Sequence, residues 1–326
     1  MNVLITGAGG FIGSHLTEAA VRRGLRVRAV VNYNSRGDAG HLGDIPDDIR
    51  NECDIRALDI RDAHGVDSLI EGMDAVFHLA ALIGIPYSYV APSSYVDVNI
   101  GGTLNLLNGA RRHGIRRFVH TSTSEVYGSA QYVPIDERHP LVGQSPYSAT
   151  KTGADQLAQS FALSFDVPVT IIRPFNTYGP RQSSRAVIPT LASQLLDASV
   201  RTVRAGTLTT ERDFTFVTDT AAAYLHALDS AGVPSGAVIN LGTGQSETIS
   251  AIYEMLQEIS GIRKPVEAEA GRVRPERSEV LCLRSDNRLA KELLDWQPSV
   301  SMRDGLRDVL AYLQSNPVRD AARYRV

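Results

Sequence analysis

The chain has 326 residues, 43% hydrophobic and 21% charged, and 33 Lys and Arg against 36 Asp and Glu leave a net charge of −3. This is ordinary globular composition, with room for one large domain or two interlocked ones at roughly 150 residues each, and no electrostatic footprint for nucleic acid or an anionic membrane. The two cysteines, Cys53 and Cys282, are too few for a disulfide framework and lack metal-ligand spacing, and the eight histidines form no paired-ligand pattern, so no metal is expected.

Asn2-Val3-Leu4-Ile5 runs straight into a glycine cluster, without the charged region and long apolar stretch of a targeting segment. The most apolar stretch, 75–86, falls well short of the ~20 residues that span a bilayer. A cytoplasmic protein without membrane partners is expected. Along the first half, Val3–Ile5, Val27–Val31, Ala75–Leu79, Arg117–Thr121 and Val169–Ile172 read as short buried strands rich in Val and Ile. Helical patterns lie between them at Ile12–Arg23, Val66–Glu71, Val98–His113 and Tyr147–Phe165. Strand and helix alternating in this way predict an α/β fold with a doubly wound parallel sheet of Rossmann type, whose ligands bind at the carboxyl ends of the strands.

Beyond Pro174 the chain changes character. Pro180 and Pro189 punctuate a loop-rich stretch, a helix is expected over Thr190–Ala198, a strand at Ala237–Leu241, and helices at Ile249–Ser260 and Asp304–Gln314. The expected division is a dinucleotide-binding domain over 1–174, also taking in 211–245, with a smaller C-terminal substrate-binding part from 175–210 and 246–326.

Three motifs carry chemistry. Gly7, Gly10 and Gly13, around Phe11 and Ile12, have G-x-x-G-x-x-G spacing between the first strand and the first helix. Glycine lets the backbone approach a pyrophosphate, and the helix N-terminus supplies amide donors. No carboxylate stands at the end of the second strand; Asn32 can bond a ribose hydroxyl and Arg36 can pair with a 2′-phosphate, so NAD and NADP are equally open. Asp59 and Ile60 are candidates for the adenine edge. The second motif is Tyr147-x-x-x-Lys151, which puts both side chains on one helix face. A phenol of pKa about 10 is a poor base at neutral pH unless a neighbouring cation stabilises its phenolate. The third is Thr121 to Gly128, where Thr123, Ser124 and Glu125 follow a central strand with hydroxyls for a sugar oxygen and a carboxylate for general acid–base work. The alternative for this motif is a polar turn with Glu125 solvated.

Together these residues resemble the extended short-chain dehydrogenases/reductases, in the NAD-dependent epimerase/dehydratase branch, over nearly the whole chain. His78-Leu79-Ala80-Ala81, Asn99, the run from Arg173 and Pro174 through Asn176 to Arg181, and Arg212-Asp213-Phe214 carry the likeness. The Ser122-Thr123-Ser124-Glu125-Val126-Tyr127-Gly128 string resembles GDP-mannose 4,6-dehydratases and is shared by UDP-glucuronate decarboxylases. The surroundings, Leu82 to Tyr89, Gly143 to Ser148 and Asn32 to Ser35, are most similar to LegB-type 4,6-dehydratases acting on UDP- or GDP-linked N-acetylglucosamine.

The resemblance implies cofactor contacts at Leu79, Ala80, Ala81, Asn99, Tyr147, Lys151 and Pro174, and nucleotide-sugar contacts at Asn176, Arg181, Arg212 and Arg274. It also implies a tightly bound, recycled cofactor. Tyr147 takes the C4 hydroxyl proton while Thr123 and Ser124 hold that oxygen. Glu125 abstracts the C5 proton, water leaves from C6, and the hydride removed at C4 returns to C6. Serine at 124, where dTDP-glucose dehydratases carry aspartate, leaves Glu125 as both base and acid, or with help from a water. Decarboxylation of UDP-glucuronate and C4 epimerisation are the alternatives. Related enzymes pair through the helices containing 102–113 and 147–165, so a homodimer is expected.

Overall fold

The computed structural model describes residues 1–269, 280–318 and 321. Its main sheet has seven strands: β1 (Asn2–Thr6), β2 (Arg26–Val31), β3 (Asp54–Ala57), β4 (Ala75–His78), β5 (Arg117–Thr121), β6 (Val169–Pro174) and β7 (Ala237–Leu241). All pair in parallel, in the order β3-β2-β1-β4-β5-β6-β7. The order reverses between β1 and β4, where a doubly wound sheet opens a crevice at its carboxyl edge.

The inner strands are covered on both faces, which is why their middle residues are mostly apolar. Strand β3 lies on the edge and its residues are half-buried or exposed. Asp-Ile-Arg-Ala carries too little apolar signal to read as a buried strand, and the sequence does not announce it.

The longer helices are α1 (Phe11–Arg22), α2 (Ala63–Ile70), α3 (Thr103–His113), α4 (Pro146–Phe165), α5 (Val187–Leu196), α6 (Val217–Asp229), α7 (Ile249–Ser260) and α8 (Met302–Ser315). On one face of the sheet, Leu16 and Ala20 of α1 and Tyr224 and Leu228 of α6 pack over Val3, Ile5 and Phe77. On the other, Val66, Ile70, Leu106, Leu107 and Phe161 cover Leu4, Val76 and Phe118. Each fully buried Val, Leu, Ile or Phe among them contributes about 1.5–3 kcal/mol. A third core joins α5, α7 and α8 through Leu191, Leu195, Ile252, Leu256, Leu306 and Leu310, with Phe214 and Phe216 in its wall.

Two helical expectations change. Helix α6, alanine-rich and buried on several sides, has no one-sided apolar stripe and is not evident from periodicity. The expected helix at 98–113 is α-helical only from Thr103; Val96–Gly102 forms a wider π-type turn, a feature frequent at functional sites. Among the described residues no helix is long and apolar enough to cross a membrane.

Candidate active site

The glycine motif closes on itself between β1 and α1. Gly7 has a φ of 71° and a Cβ there would stand 2.8 Å from Ala80 N; at Gly13 it would stand 2.1 Å from Gly7 O. Neither position has room for a side chain. Gly9, which the spacing rule leaves out, is equally constrained, because its Cβ would meet Ala39 O at 2.5 Å and its carbonyl accepts from His41 N at 2.9 Å. Helix α1 begins at Gly10 without a side-chain cap. Its first amides are therefore left to water or to an anion such as a pyrophosphate. This side-chain-free cradle at the carboxyl edge of β1 fits a dinucleotide.

The residues expected to line the rest of that cradle are placed unevenly. Asn32 and Arg36 are exposed beyond β2, in a loop shaped by Asn34, whose Oδ1 accepts from Arg36 N at 3.1 Å and Asp38 N at 3.0 Å. Asp59 is held by Arg61. The Ile60 side chain is buried against the turn leading into α3, where a Cβ on Gly102 would meet its Cδ1 at 2.4 Å, and its carbonyl accepts from Asn105 of α3. Leu79, Ala80 and Ala81 follow β4 and are half-buried, with Ala80 N donating to Thr6 Oγ1 at 3.2 Å. Pro174 ends β6, paired with Leu241.

Asn99 is buried, and its amide donates to Leu82 O and Thr150 Oγ1, both at 3.0 Å, while its Oδ1 accepts from Leu82 N at 2.8 Å. Both amide protons are engaged, so the side chain pins the 82 loop to α4 and has no donor left for a cofactor.

Helix α4 starts where the sequence says it should. Ser145 caps it, accepting from Ser148 N at 3.1 Å while Ser148 Oγ accepts from Ser145 N at 3.0 Å, and Pro146 fills the first turn. Tyr147 and Lys151 thus sit in the first two turns, both buried. The preceding strand β5 leads into a single turn, Ser124–Tyr127, capped by Thr123, whose Oγ1 accepts from Glu125 N at 3.2 Å.

The two segments meet at the phenol. Burial pushes Tyr147 well above its usual value; the Thr123 hydroxyl, hydrogen-bonded to it, works against that rise and the Glu125 charge adds to it. Lys151 donates to Thr121 O at 2.5 Å, and burial brings its ammonium down to about 8, with the Asp155 carboxylate opposing. Tyr147, Lys151, Thr123 and Glu125 are therefore brought together as the sequence reading requires. Ser124 is buried in the same turn.

The expected diphosphate residues are more scattered. Asn176 pairs through its backbone with Asp213 O at 3.0 Å. Arg212 is buried and donates to Glu211 O at 2.9 Å. Arg181 corrects the sequence expectation of an arginine presented to phosphate: it is buried, adopts a φ of 67° and folds onto α1, donating to Glu18 Oε2 at 3.0 Å. His15 donates from Nε2 to Pro180 O at 3.0 Å, which leaves Nδ1 to accept from Arg181 Nη2 at 2.7 Å. Burial and the Arg181 charge bring His15 down to about 4. Arg274 lies outside the described residues.

Sequence reasoning missed what lies behind the site. Asp155, one turn beyond Lys151 on α4, accepts at Oδ2 from Ser122 Oγ at 2.8 Å and from Arg173 Nε and Nη2 at 3.0 and 2.9 Å. Arg173 Nη1 donates to Tyr127 OH at 3.0 Å, and that hydroxyl donates to Asn240 Oδ1 at 2.7 Å. The only sequence signal was a carboxylate four residues after Lys151, on the same helix face. Asp213, also buried, gathers Thr243 N, Gly244 N and Ser285 N around its carboxylate, which ties the segment at Arg212 to the loop after β7 and to Ser285.

The sequence profile of the GDP-mannose 4,6-dehydratase family matches residues 4–309. A dTDP-glucose 4,6-dehydratase of Streptomyces antibioticus is 43% identical over 202 residues, 60% of this chain and 59% of the relative. A UDP-N-acetyl-alpha-D-glucosaminuronate decarboxylase of Bacillus cytotoxicus is 30% identical over 95% of this chain and 97% of its own. The crystal structure of a UDP-glucuronic acid 4-epimerase from Bacillus cereus, in complex with UDP-glucuronic acid and NAD, superposes with a TM-score of 0.86 at 29% identity, covering 97% of this chain and 100% of that one. Dehydratases, a decarboxylase and an epimerase thus share one fold with this protein. The chain belongs to the NAD-dependent epimerase/dehydratase family of extended short-chain dehydrogenases/reductases.

Proposed function

We propose that the protein is a nucleotide-sugar 4,6-dehydratase, converting a nucleoside-diphosphate hexose, with UDP- or GDP-linked N-acetylglucosamine the best candidates, to its 4-keto-6-deoxy product. The observation that carries this reading is Glu125: it shares a capped turn with Thr123, and its charge acts directly on the Tyr147 phenol. Elimination of water across C5 and C6 calls for a second acid–base group beside the base that deprotonates the C4 hydroxyl, whereas epimerisation at C4 does not.

Residues 1–174 with 211–245 form the cofactor part, and 175–210 with 246–326 the sugar-nucleotide part. The cofactor would be NAD, which the epimerase neighbour binds; the free amides at the N-terminus of α1 would hold its pyrophosphate and Asn32 would bond a ribose hydroxyl. When bound, it supplies a hydride acceptor at C4 that later acts as donor at C6. Tyr147 takes the C4 hydroxyl proton, and Lys151 favours the phenolate by its charge. Thr123 orients the phenol and the sugar oxygen. Glu125 then removes the C5 proton, made acidic by the adjacent ketone, and passes it to the departing C6 hydroxyl, so that one water leaves; a solvent-derived proton is returned to C5 as C6 is reduced. Asn176 and Arg212 face the diphosphate in this reading, while Arg181 braces α1. Decarboxylation of a nucleotide-linked uronic acid is the second reading, favoured by the full-length decarboxylase relative.

The Glu125→Gln variant tests the role given to Glu125. Dehydration by this variant is expected to fall by 10²-fold or more, with nucleotide-sugar binding, measured by calorimetry, retained. Full turnover of the variant would favour a reaction confined to C4.

A further inference from the structure

Lys151 is an ionised group in a buried place, with a peptide carbonyl as its acceptor. A carbonyl dipole does not neutralise an ammonium, and an unpaired charge in a low-dielectric site tends to shed its proton. The carboxylate that acts on it is Asp155, placed on the same face of α4 by the i,i+4 spacing. Asp155 is fully buried and cannot turn away, because Ser122 and the Arg173 fork hold one of its oxygens with three hydrogen bonds. Its other oxygen lies 3.4 Å from His120 Nε2.

The remaining titratable neighbours do not replace it. His120 of β5 and His78 of β4 are kept neutral by burial, with Lys151 itself opposing their protonation. Burial holds the Tyr147 and Tyr224 phenols protonated, and Tyr95, from the helical turn packed on α4, is shifted in the same direction. Arg173 of β6 is a cation already engaged with Asp155, and Glu125 faces the phenol from the opposite turn.

We propose that Asp155 is a positioning residue for the proton chemistry: locked by Arg173 and Ser122, it keeps Lys151 cationic in a site closed to water, and Arg173 carries the same frame through Tyr127 to the turn that bears Glu125. The base and the eliminating carboxylate sit on different elements, and this buried chain connects the two directly. Its role in turnover rests on the nucleotide-sugar reading above. The charge state of Lys151 does not, and can be measured without substrate.

The chain has three lysines, Lys151, Lys264 and Lys291, so ¹³Cε-lysine labelling gives three NMR signals and Lys151→Arg assigns the one of interest. In the unaltered protein that signal should titrate near pH 8. In Asp155→Asn its midpoint should fall by about 1 pH unit or more. The alkaline limb of kcat should move down by the same amount, with most of the lost activity recovered near pH 6, where Lys151 is charged in both proteins. A purely structural Asp155 would lower kcat equally at every pH and leave the Lys151 midpoint in place; either result overturns the proposal. Removing one partner of a buried pair is costly, so the paired replacement Asp155→Leu/Arg173→Met, which leaves neither member of that ion pair stranded, serves if the single variant does not fold. It must also show a lowered Lys151 midpoint, and an unchanged one is equally contrary. Failure to turn over any nucleotide sugar, with the Lys151 midpoint shifted as expected, would count against the enzyme reading alone.

Discussion

Tyr147 and Lys151 respond to burial in opposite directions. The phenol moves up and away from being a base, and the ammonium moves down towards losing the charge that makes the phenol useful. Only below the Lys151 midpoint does the pair hold a cation beside the phenol. The turnover rate should therefore fall as pH rises through about 8. Stability does not produce this fall. The folded midpoint lies below the ordinary value of 10.5, so between about 8 and 10.5 the unfolded chain binds the proton that the folded one has released, and this group's contribution to stability increases with pH. A pH–rate profile flat to pH 9.5, with the protein still folded by circular dichroism, would remove Lys151 from the mechanism.

At this scale the sequence was legible where chemistry fixes a residue type. The phenol, the ammonium four residues on and the carboxylate after β5 all reach one place. It was not legible where a side chain's direction depends on distant partners. Arg181 bends through a left-handed backbone onto His15 and Glu18, and Asn99 spends its amide on Leu82 and Thr150. Neither residue's neighbours in sequence reveal those partners.

Among the elements, α4 was the clearest in the sequence, because Ser145, Pro146 and Ser148 specify its start independently of the tertiary fold. Edge strand β3 and the many-sided helix α6 were hidden for a common reason: neither has the one-faced or fully apolar pattern that periodicity detects. Helices α3 and α4 also carry apolar residues that the monomer leaves uncovered. Leu163 is 83% exposed, Leu104 and Phe165 are exposed as well, and Arg111 covers the Phe165 ring at 3.8 Å.

We propose that a second copy of the chain covers this face, giving a two-fold dimer through α3 and α4. Light scattering at working concentration should report twice the monomer mass. Leu163→Glu would put an uncompensated charge at the contact twice over, weakening the dimer by roughly 100-fold or more. A monomeric mass for the unaltered protein, or an unchanged dimer in the variant, would contradict it.

For the molecule as a whole, the alternation of strands and helices was enough to anticipate a doubly wound sheet. It also put the candidate residues after β1, β4 and β5, at the carboxyl edge of the sheet whose order reverses between β1 and β4. What that pattern cannot contain is the identity of the sugar, because a dehydratase, a decarboxylase and an epimerase are all among the similar proteins.

The most direct test of the central claim is mass spectrometry of the products formed from UDP-, GDP- and dTDP-linked hexoses and uronic acids in heavy water. The account predicts loss of one water, with deuterium at C5 of a 4-keto-6-deoxy sugar, and a UDP- or GDP-linked N-acetylglucosamine as the substrate. Loss of carbon dioxide from a uronic acid, or an unchanged mass with a new retention time, would contradict it.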